Sequence, residues 1–229
     1  MKIIILSFVF ILYITSFIPA QNVDTRWGKI SNEEWTLEHC PYDTAAQAII
    51  LLDKARIHFN GAQAVIERHR RIKILDGKAL EYGNIKIPYV RYDNREDVKE
   101  VRAQTFNRSV DGKPQEVELD NNQIFSDKID DYWGSVNIAF PKVQQGSIIE
   151  YKYNFYTKSI YFLEPWFFQN ELPTAHSELS FEVPPYLNYT IIKIGGRIKD
   201  LVDSKTEHRW ILKNVLGFKN ENYVFHPED

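Results

Sequence analysis

Apolar and polar residues alternate most regularly between residues 147 and 156. Ile149, Tyr151, Tyr153 and Phe155 would share one face of an extended segment, with Glu150 on the other. Successive side chains of a β-strand point to opposite faces of the sheet, so this period of two predicts a strand. Glu150 is expected on the polar face of that strand.

A β-hairpin is predicted in the first half of the chain. Residues 48–59 and 65–75 are rich in β-branched and aromatic residues, and Asn60-Gly61 lies between them. Asn-Gly accepts positive φ at both central positions of a tight turn, which favours a hairpin. A helix over residues 44–55, capped by Asp43, is a competing interpretation because Ala45, Ala46 and Ala48 favour a helix.

Further strands are predicted where short apolar runs are bounded by turn residues. They cover residues 98–107, 117–119, 124–129, 135–140, 178–183, 189–194 and 208–212. Ser31 followed by Glu33 and Glu34 indicates the start of a short helix. Roughly ten short strands predict a mostly β fold, an antiparallel two-layer β-sandwich-like domain with one or two short helices near the N-terminus.

The N-terminus has the pattern of a secretion signal. Lys2 precedes an apolar run from Ile3 to Phe17, and Pro19-Ala20 follows it. We expect cleavage between Ala20 and Gln21, with an uncleaved membrane anchor as the alternative. The predicted organisation is a signal peptide at 1–20, a β domain at 21–213 and a tail or linker start at 214–229. The protein is therefore expected in the periplasm or outside the cell.

Composition narrows the functional class. Hydrophobic residues make up 44% and charged residues 26% of the chain, which is typical of a folded domain. The net charge is -3, and a nucleic-acid binder usually carries a basic patch, so nucleic acid is not an expected partner. The most basic stretch, Arg68-His69-Arg70-Arg71, is interpreted as the solvated face of a strand.

No catalytic, metal-binding or cofactor-binding residue is predicted. Cys40 is the one cysteine, and a lone cysteine is most often a small buried hydrophobe. Acid–base hydrolysis needs a pair of carboxylates, and the sequence offers no convincing partner for Glu150. The sequence also lacks a phosphate loop, a nucleophile elbow and a dinucleotide-binding motif.

An aromatic block provides the candidate binding surface. Tyr161, Trp166, Phe168 and Gln169 belong to it, and Glu150 is added as a polar candidate. Exposed aromatic rings stack on sugars or pack against partners, whereas buried ones fill the space between sheets. Core packing is the favoured alternative for the block.

Several short motifs together resemble a known family. In order along the chain, they are Trp27-Gly28-Lys29-Ile30-Ser31, Arg71-Ile72-Lys73-Ile74-Leu75, Thr105-Phe106-Asn107, Phe140-Pro141, Gly146-Ser147-Ile148-Ile149-Glu150-Tyr151 and Trp166-Phe167-Phe168-Gln169. The chain resembles the domain of unknown function that precedes transglutaminase-like domains in exported bacterial proteins of the Bacteroidetes type. In that family a Cys-His-Asp core normally follows the β domain, and the resemblance does not reach that core within this chain.

Two functional hypotheses follow. The resemblance implies a non-catalytic exported β module that docks on, or presents substrate to, a transglutaminase-like or peptidase domain. The aromatic block alone favours the alternative, a free-standing module that binds cell-wall polysaccharide, peptide or protein. A membrane span is not expected after removal of the signal.

Overall fold

The computed structural model describes residues 23–109, 111–204 and 208–218. The predicted signal peptide at 1–20 lies outside the described residues. A short helix, α1 (Asn32–Thr36), begins where the sequence predicts it. Ser31 accepts a hydrogen bond from the Glu34 backbone N–H, and the Glu34 carboxylate accepts one from the Ser31 N–H. This reciprocal capping satisfies two donors that a helix start leaves without partners.

The described residues form a mostly β fold, as predicted. The strands are β1 (Ala48–Asn60), β2 (Gln63–Ile74), β3 (Asn84–Val90), β4 (Glu96–Arg108), β5 (Pro114–Glu118), β6 (Ile124–Lys128), β7 (Trp133–Ala139), β8 (Ile148–Thr157), β9 (Thr174–Phe181), β10 (Val202–Ser204) and β11 (Arg209–Val215). They make an eight-stranded sheet in the order β10-β11-β9-β1-β2-β8-β4-β5 and a three-stranded sheet in the order β3-β7-β6. The two sheets pack as a β-sandwich.

The first hairpin is confirmed. β1 and β2 pair antiparallel from Ala48↔Ile74 to Asn60↔Gln63, and Gly61 has a φ of 62° in the turn. The competing helix over 44–55 is wrong. Its apolar residues 49–52 are buried in a strand covered on both faces, a setting in which strict alternation of polar and apolar residues disappears. β1 also pairs parallel with β9, so the sheet is not wholly antiparallel.

One predicted strand is absent from the structure, and two edge strands were not predicted. Residues 189–194 are irregular, and the edge position beside β11 is taken by β10, which the sequence did not predict. The sequence did not predict β3 either, and β3 contains Pro88. β3 lies at an edge of the three-stranded sheet, where a proline is tolerated because its missing N–H costs no ladder bond.

The large sheet has two differently covered faces. Its inner face carries Ile72, Ile149 and Tyr151, which pack with Ile87 and Val136 of the small sheet. Its outer face carries Arg71 and Glu150. Each is the sequence neighbour of an inner-face residue, and neighbouring side chains of a strand point to opposite faces.

The N-terminal arm, residues 23–46, covers part of the outer face. Trp35 and Leu37 of the arm pack with buried residues of the sheet, including Ile49 and Ile148. Among the described residues, no helix has both the length and the apolar character needed to cross a bilayer.

Candidate binding surface and the buried networks behind it

The small sheet leaves part of the inner face to two irregular segments. We call residues 161–169 the aromatic segment and residues 189–198 the apolar loop. Between them and the sheet lies a cavity of about 1110 Å³. Its floor comes from β1, β9 and β11, through Ile57, Phe181 and Trp210.

Trp166 anchors the aromatic segment to the sheet. It is half-buried, and its indole Nε1 donates to Ser177 Oγ at 3.3 Å. The Arg68 guanidinium lies 5.0 Å from the centre of the indole ring, a cation–π distance. Phe168 packs edge-on against the same ring, with 6.4 Å between ring centroids. One side of the segment is therefore core-like, as the packing alternative expects.

The other side of the segment is exposed. Tyr161 and Phe162 are 75% and 87% exposed, and Phe167 is also exposed. Ile192 and Ile194 of the apolar loop extend this surface, Ile194 being 90% exposed. We call these five residues the apolar rim. Large apolar side chains exposed side by side mark an interaction site more often than scattered single ones do.

The other two residues of the predicted surface, Gln169 and Glu150, lie in different parts of the structure. Gln169 is exposed, and its Nε2 donates to the Leu216 carbonyl at 3.2 Å, which ties the segment to the end of β11. Glu150 is fully buried on the outer face, whereas Trp166 contacts the inner face through Arg68. The structure therefore separates Glu150 from the other four residues. Glu150 lies on the face of β8 opposite Tyr151, as predicted, but it is buried there.

Glu150 instead belongs to a buried ion-pair network on the outer face. Arg71 Nη2 lies 2.7 Å from Glu150 Oε1, and Arg71 Nη1 lies 2.7 Å from Glu34 Oε1 of helix α1. Gln104 Nε2 and the Gly28 N–H donate to Glu150 Oε2 at 2.6 and 2.9 Å. A buried charge is tolerated when its partners satisfy it this fully.

The network also sets the protonation of Glu150. Burial alone would raise the pKa of Glu150, but a hydrogen bond with His69 at 2.8 Å and the charge of Arg71 outweigh it. The pKa of Glu150 therefore lies below its ordinary value, and the carboxylate stays ionised. A carboxylate held in this way neither takes up nor releases a proton near neutral pH, so the geometry supports a structural role.

The solvated-face interpretation of Arg68–Arg71 is therefore wrong. Arg71 is fully buried, and Arg68 and Arg70 both pair with the buried carboxylate of Asp53 on the inner face. Arg70 Nη2 also donates to Asn170 Oδ1 at 2.9 Å. The arginines bury because acids on other strands and on helix α1 neutralise them, which local sequence does not show.

The Asp53 network supports the candidate surface from below. Arg68 contacts both Asp53 and the Trp166 ring, and Asn170 directly follows the aromatic segment. Burial alone would raise the pKa of Asp53, but the charges of Arg68 and Arg70 outweigh burial and lower the pKa below its ordinary value. The network thus fixes both Trp166 and the chain that leaves the segment.

Trp210 lies in the cavity floor with an unmatched donor. It is 5% exposed, and its indole Nε1 has no hydrogen-bond partner among the described residues. Buried polar atoms in native proteins are nearly always paired, so this donor is an exception within the floor of the cavity. Only the tertiary structure reveals it, because the sequence signal at Trp210 is that of an ordinary core aromatic.

Cys40 is buried, as the sequence predicts. It belongs to the N-terminal arm and is 1% exposed where the arm packs on the sheet, and burial raises the pKa of its thiol above the ordinary value. A nucleophilic cysteine needs a lowered pKa and access to substrate, and Cys40 has neither. Within the described ranges, histidine, cysteine and acidic side chains do not converge in groups of three that could hold a metal ion.

Sequence comparison now identifies the family. A family model described as "Domain of Unknown Function with solved-structure structure (DUF3857)" matches residues 61–219. The chain belongs to the DUF3857 family, and the matched range holds the aromatic segment, the apolar loop and the part of the cavity floor that comes from β9 and β11. None of the curated proteins matches the chain.

Comparison of folds adds a solved relative. A crystal structure of a "putative protease" from Parabacteroides distasonis ATCC 8503 is similar over 77% of this chain, with a TM-score of 0.59 and 16% sequence identity. The chain spans 37% of the length of that protein. At this identity the similarity establishes the fold.

Proposed function

We propose that this chain is a non-catalytic, exported β module that accompanies a transglutaminase-like or peptidase domain and docks on it, or presents substrate to it, through the apolar rim. The observation that carries the proposal is the exposure of Tyr161, Phe162 and Phe167 beside Ile192 and Ile194. Such a surface gains free energy when a partner removes it from water.

The fold relative supports this role. The matched part is 37% of a longer protein described as a "putative protease", which fits a β domain that shares a chain or an assembly with a catalytic domain. The resemblance of the sequence to domains preceding transglutaminase-like cores points the same way. Export is proposed from the N-terminal pattern of Lys2, the apolar run and Ala20.

The absence of catalysis is part of the proposal. Its support is the state of two reactive groups: Cys40 is buried between the arm and the sheet with a raised thiol pKa, and Glu150 is saturated with hydrogen bonds. The purified chain should not hydrolyse or cross-link protein substrates. Turnover that disappears in Cys40→Ala would contradict this part.

Association with a partner domain tests the main proposal. The chain is mixed with a purified transglutaminase-like peptidase domain from the same organism, and binding is measured by sedimentation velocity. Replacing Phe162 and Phe167 by Ser should weaken association by on the order of tenfold or more, because buried aromatic anchors dominate interfaces.

A matched control exists outside the apolar rim. Tyr92 and Tyr132 are also exposed and stack on each other, with ring centroids 5.0 Å apart, but they lie by the small sheet. Replacing both by Ser should leave association unchanged. Equal loss in both double variants, or no association of the unmodified chain, would overturn the proposed docking role.

A further inference from the structure

We propose that the solvent-facing side of the small sheet binds a linear, uncharged polysaccharide. That side carries two exposed aromatic rings and three polar side chains, which we call the glycan platform: Phe125, Trp133, Lys86, Asp127 and Asn137. The inference goes beyond the docking role and does not depend on it, because the apolar rim belongs to the aromatic segment and the apolar loop.

Strand register places the platform residues on one surface. The core residues of β7 include Val136 and Ile138. Trp133 and Asn137 have the opposite parity on the same strand, so they point to solvent. Paired residues of neighbouring antiparallel strands share a face. The other platform residues lie beside this face of β7 in the register pairs Lys86↔Asn137, Phe125↔Asn137 and Asp127↔Ser135.

The two rings are exposed and well separated. Phe125 is 47% and Trp133 is 45% exposed. Phe125 lies opposite Asn137, four residues along β7 from Trp133, so the two rings start about 13 Å apart along the strand direction. Within the described residues, neither ring has the stacking partner that Tyr92 and Tyr132 provide for each other. A few linked sugar units span this distance and can lay their C–H faces on both rings.

Oriented hydrogen-bonding groups lie beside the rings. Asn137 Nδ2 donates to Asp127 Oδ2 at 2.9 Å and to Ser135 Oγ at 3.2 Å. These bonds use both N–H groups of the amide and leave its carbonyl oxygen for a ligand donor. Asp127 adds further acceptor capacity, and the exposed Lys86 adds donors. A sugar hydroxyl both donates and accepts, so the hydroxyls of one chain can serve all three side chains.

Charge and shape favour a neutral sugar polymer over other polymers. A polyanion lying across the platform would meet the Asp127 carboxylate, and a polycation would meet the Lys86 ammonium. An extended peptide adds to a sheet through backbone groups at a strand edge, whereas the platform is a sheet face. A polysaccharide carries both a C–H face and hydroxyls in every unit, so it matches the rings and the polar groups together.

Calorimetric titration of the full chain tests the class of ligand. The neutral probes are cellohexaose, xylohexaose and chitohexaose. Hexagalacturonate is the acidic probe, deacetylated chitohexaose is the basic probe, and a blocked hexapeptide of leucine and serine represents polypeptide. A neutral hexasaccharide should bind more tightly than the charged sugars and the peptide. It should also shift the indole N–H signal of Trp133 in a heteronuclear correlation spectrum, where Trp133→Phe identifies that signal.

Variants test whether the rings form the site. Trp133→Ala and Phe125→Ala should each weaken binding by about threefold to tenfold, the usual contribution of an aromatic contact. Trp133→Phe keeps a ring and should lose less affinity than Trp133→Ala. Thermal unfolding of each variant shows that it is folded. Tyr186→Ala is the matched control, since it removes an exposed ring whose hydroxyl donates to the Gly61 carbonyl in the β1–β2 turn, and it should leave the affinity unchanged.

Three results would overturn this inference. They are failure of all three neutral hexasaccharides to bind, tighter binding of a charged sugar or of the peptide, and unchanged affinity in folded Trp133→Ala and Phe125→Ala. Equal weakening in Tyr186→Ala would also count against the platform. The docking role is measured separately, by sedimentation with a peptidase domain, so either proposal can fail while the other stands.

Discussion

Arg71 on β2 and Glu150 on β8 face each other across neighbouring strands, with Nη2 and Oε1 2.7 Å apart and both side chains fully buried. The same guanidinium reaches Glu34 of helix α1 and the carbonyls of Asp24 and Arg26. Arg71 thus joins the centre of the large sheet to the N-terminal arm. The relationship makes one side chain responsible for holding a segment that has little secondary structure of its own.

Removing Arg71 should strongly destabilise the fold. Arg71→Ala leaves the Glu150 and Glu34 carboxylates buried without their main counter-charge, and breaking a buried pair in this way costs about 3–5 kcal/mol. Urea denaturation followed by tryptophan fluorescence measures the change in free energy of unfolding. Lys128→Ala removes an exposed pair with Asp131, away from the arm, and should cost less than about 1 kcal/mol. Similar losses in both variants would contradict the role given to Arg71.

Opening of the N-terminal arm should be visible through Cys40. The thiol is buried at the contact between the arm and the sheet, so it should react slowly with a chromogenic disulfide reagent in the native protein. Glu34→Ala removes both the contact with Arg71 and half of the cap of α1. The reaction rate should then rise by on the order of tenfold, because local opening exposes the thiol without global unfolding. An unchanged rate would show that Glu34 does not hold the arm.

Acid should destabilise the protein partly through Glu178. Burial opposes ionisation of Glu178, but hydrogen bonds with His176 and Arg209 and the charge of Lys54 lower its pKa from 4.5 to about 2. A lowered folded-state pKa means that the unfolded state binds more protons, so this contribution is present above about pH 4.5 and is lost as the pH falls toward 2. Free energies of unfolding measured across that range should fall more steeply for the unmodified chain than for Glu178→Gln. Parallel curves would refute this assignment.

Gly217 should resist substitution because of its neighbours. A Cβ there would lie 2.5 Å from the Glu171 backbone oxygen, where chain following the aromatic segment passes the end of β11. The contact is close because Phe218 N–H donates to the Asn170 carbonyl at 2.8 Å. Gly217→Ala should cost about 1–3 kcal/mol, the usual effect of overpacking, in a thermal or urea unfolding measurement.

Gly77 is the matched control for that substitution. A Cβ at Gly77 would meet no atom within 4 Å. Gly77→Ala should therefore be nearly neutral, within about 0.5 kcal/mol as at most surface sites. If Gly217→Ala were equally neutral, the close approach of residues 170–173 to residues 216–218 would not contribute to stability.

Local patterns predicted much of the fold because they report on local physics. Ser31 with Glu34 predicted the start of α1, and Asn60-Gly61 predicted the first hairpin, since capping and turn geometry depend on neighbouring residues. The pattern of residues 189–194 suggested a strand equally well. It failed because a strand needs an open edge to pair with, and β10 occupies that edge.

The candidate surface was predicted in part. The aromatic character of residues 161–168 was visible in the sequence, but the division between a buried anchor at Trp166 and an exposed ring at Phe162 was not. That division depends on Arg68 and Ser177, which come from two other strands. The sequence did not predict Trp210 as a residue of the cavity floor for the same reason. Whether its indole N–H has a partner depends on all the groups that surround it in the fold.

The sequence by itself determined the β class of this domain, its first hairpin and turn, the capped helix and the burial of Cys40, because each follows from side-chain chemistry and spacing along the chain. Only the tertiary structure decided that Arg71 and Glu150 are buried partners, that Glu150 lies on the opposite face from Trp166, and that a cavity lies between the aromatic segment and the apolar loop. The physical reason is that burial and charge pairing are properties of several strands at once, and the order of those strands is set by their packing.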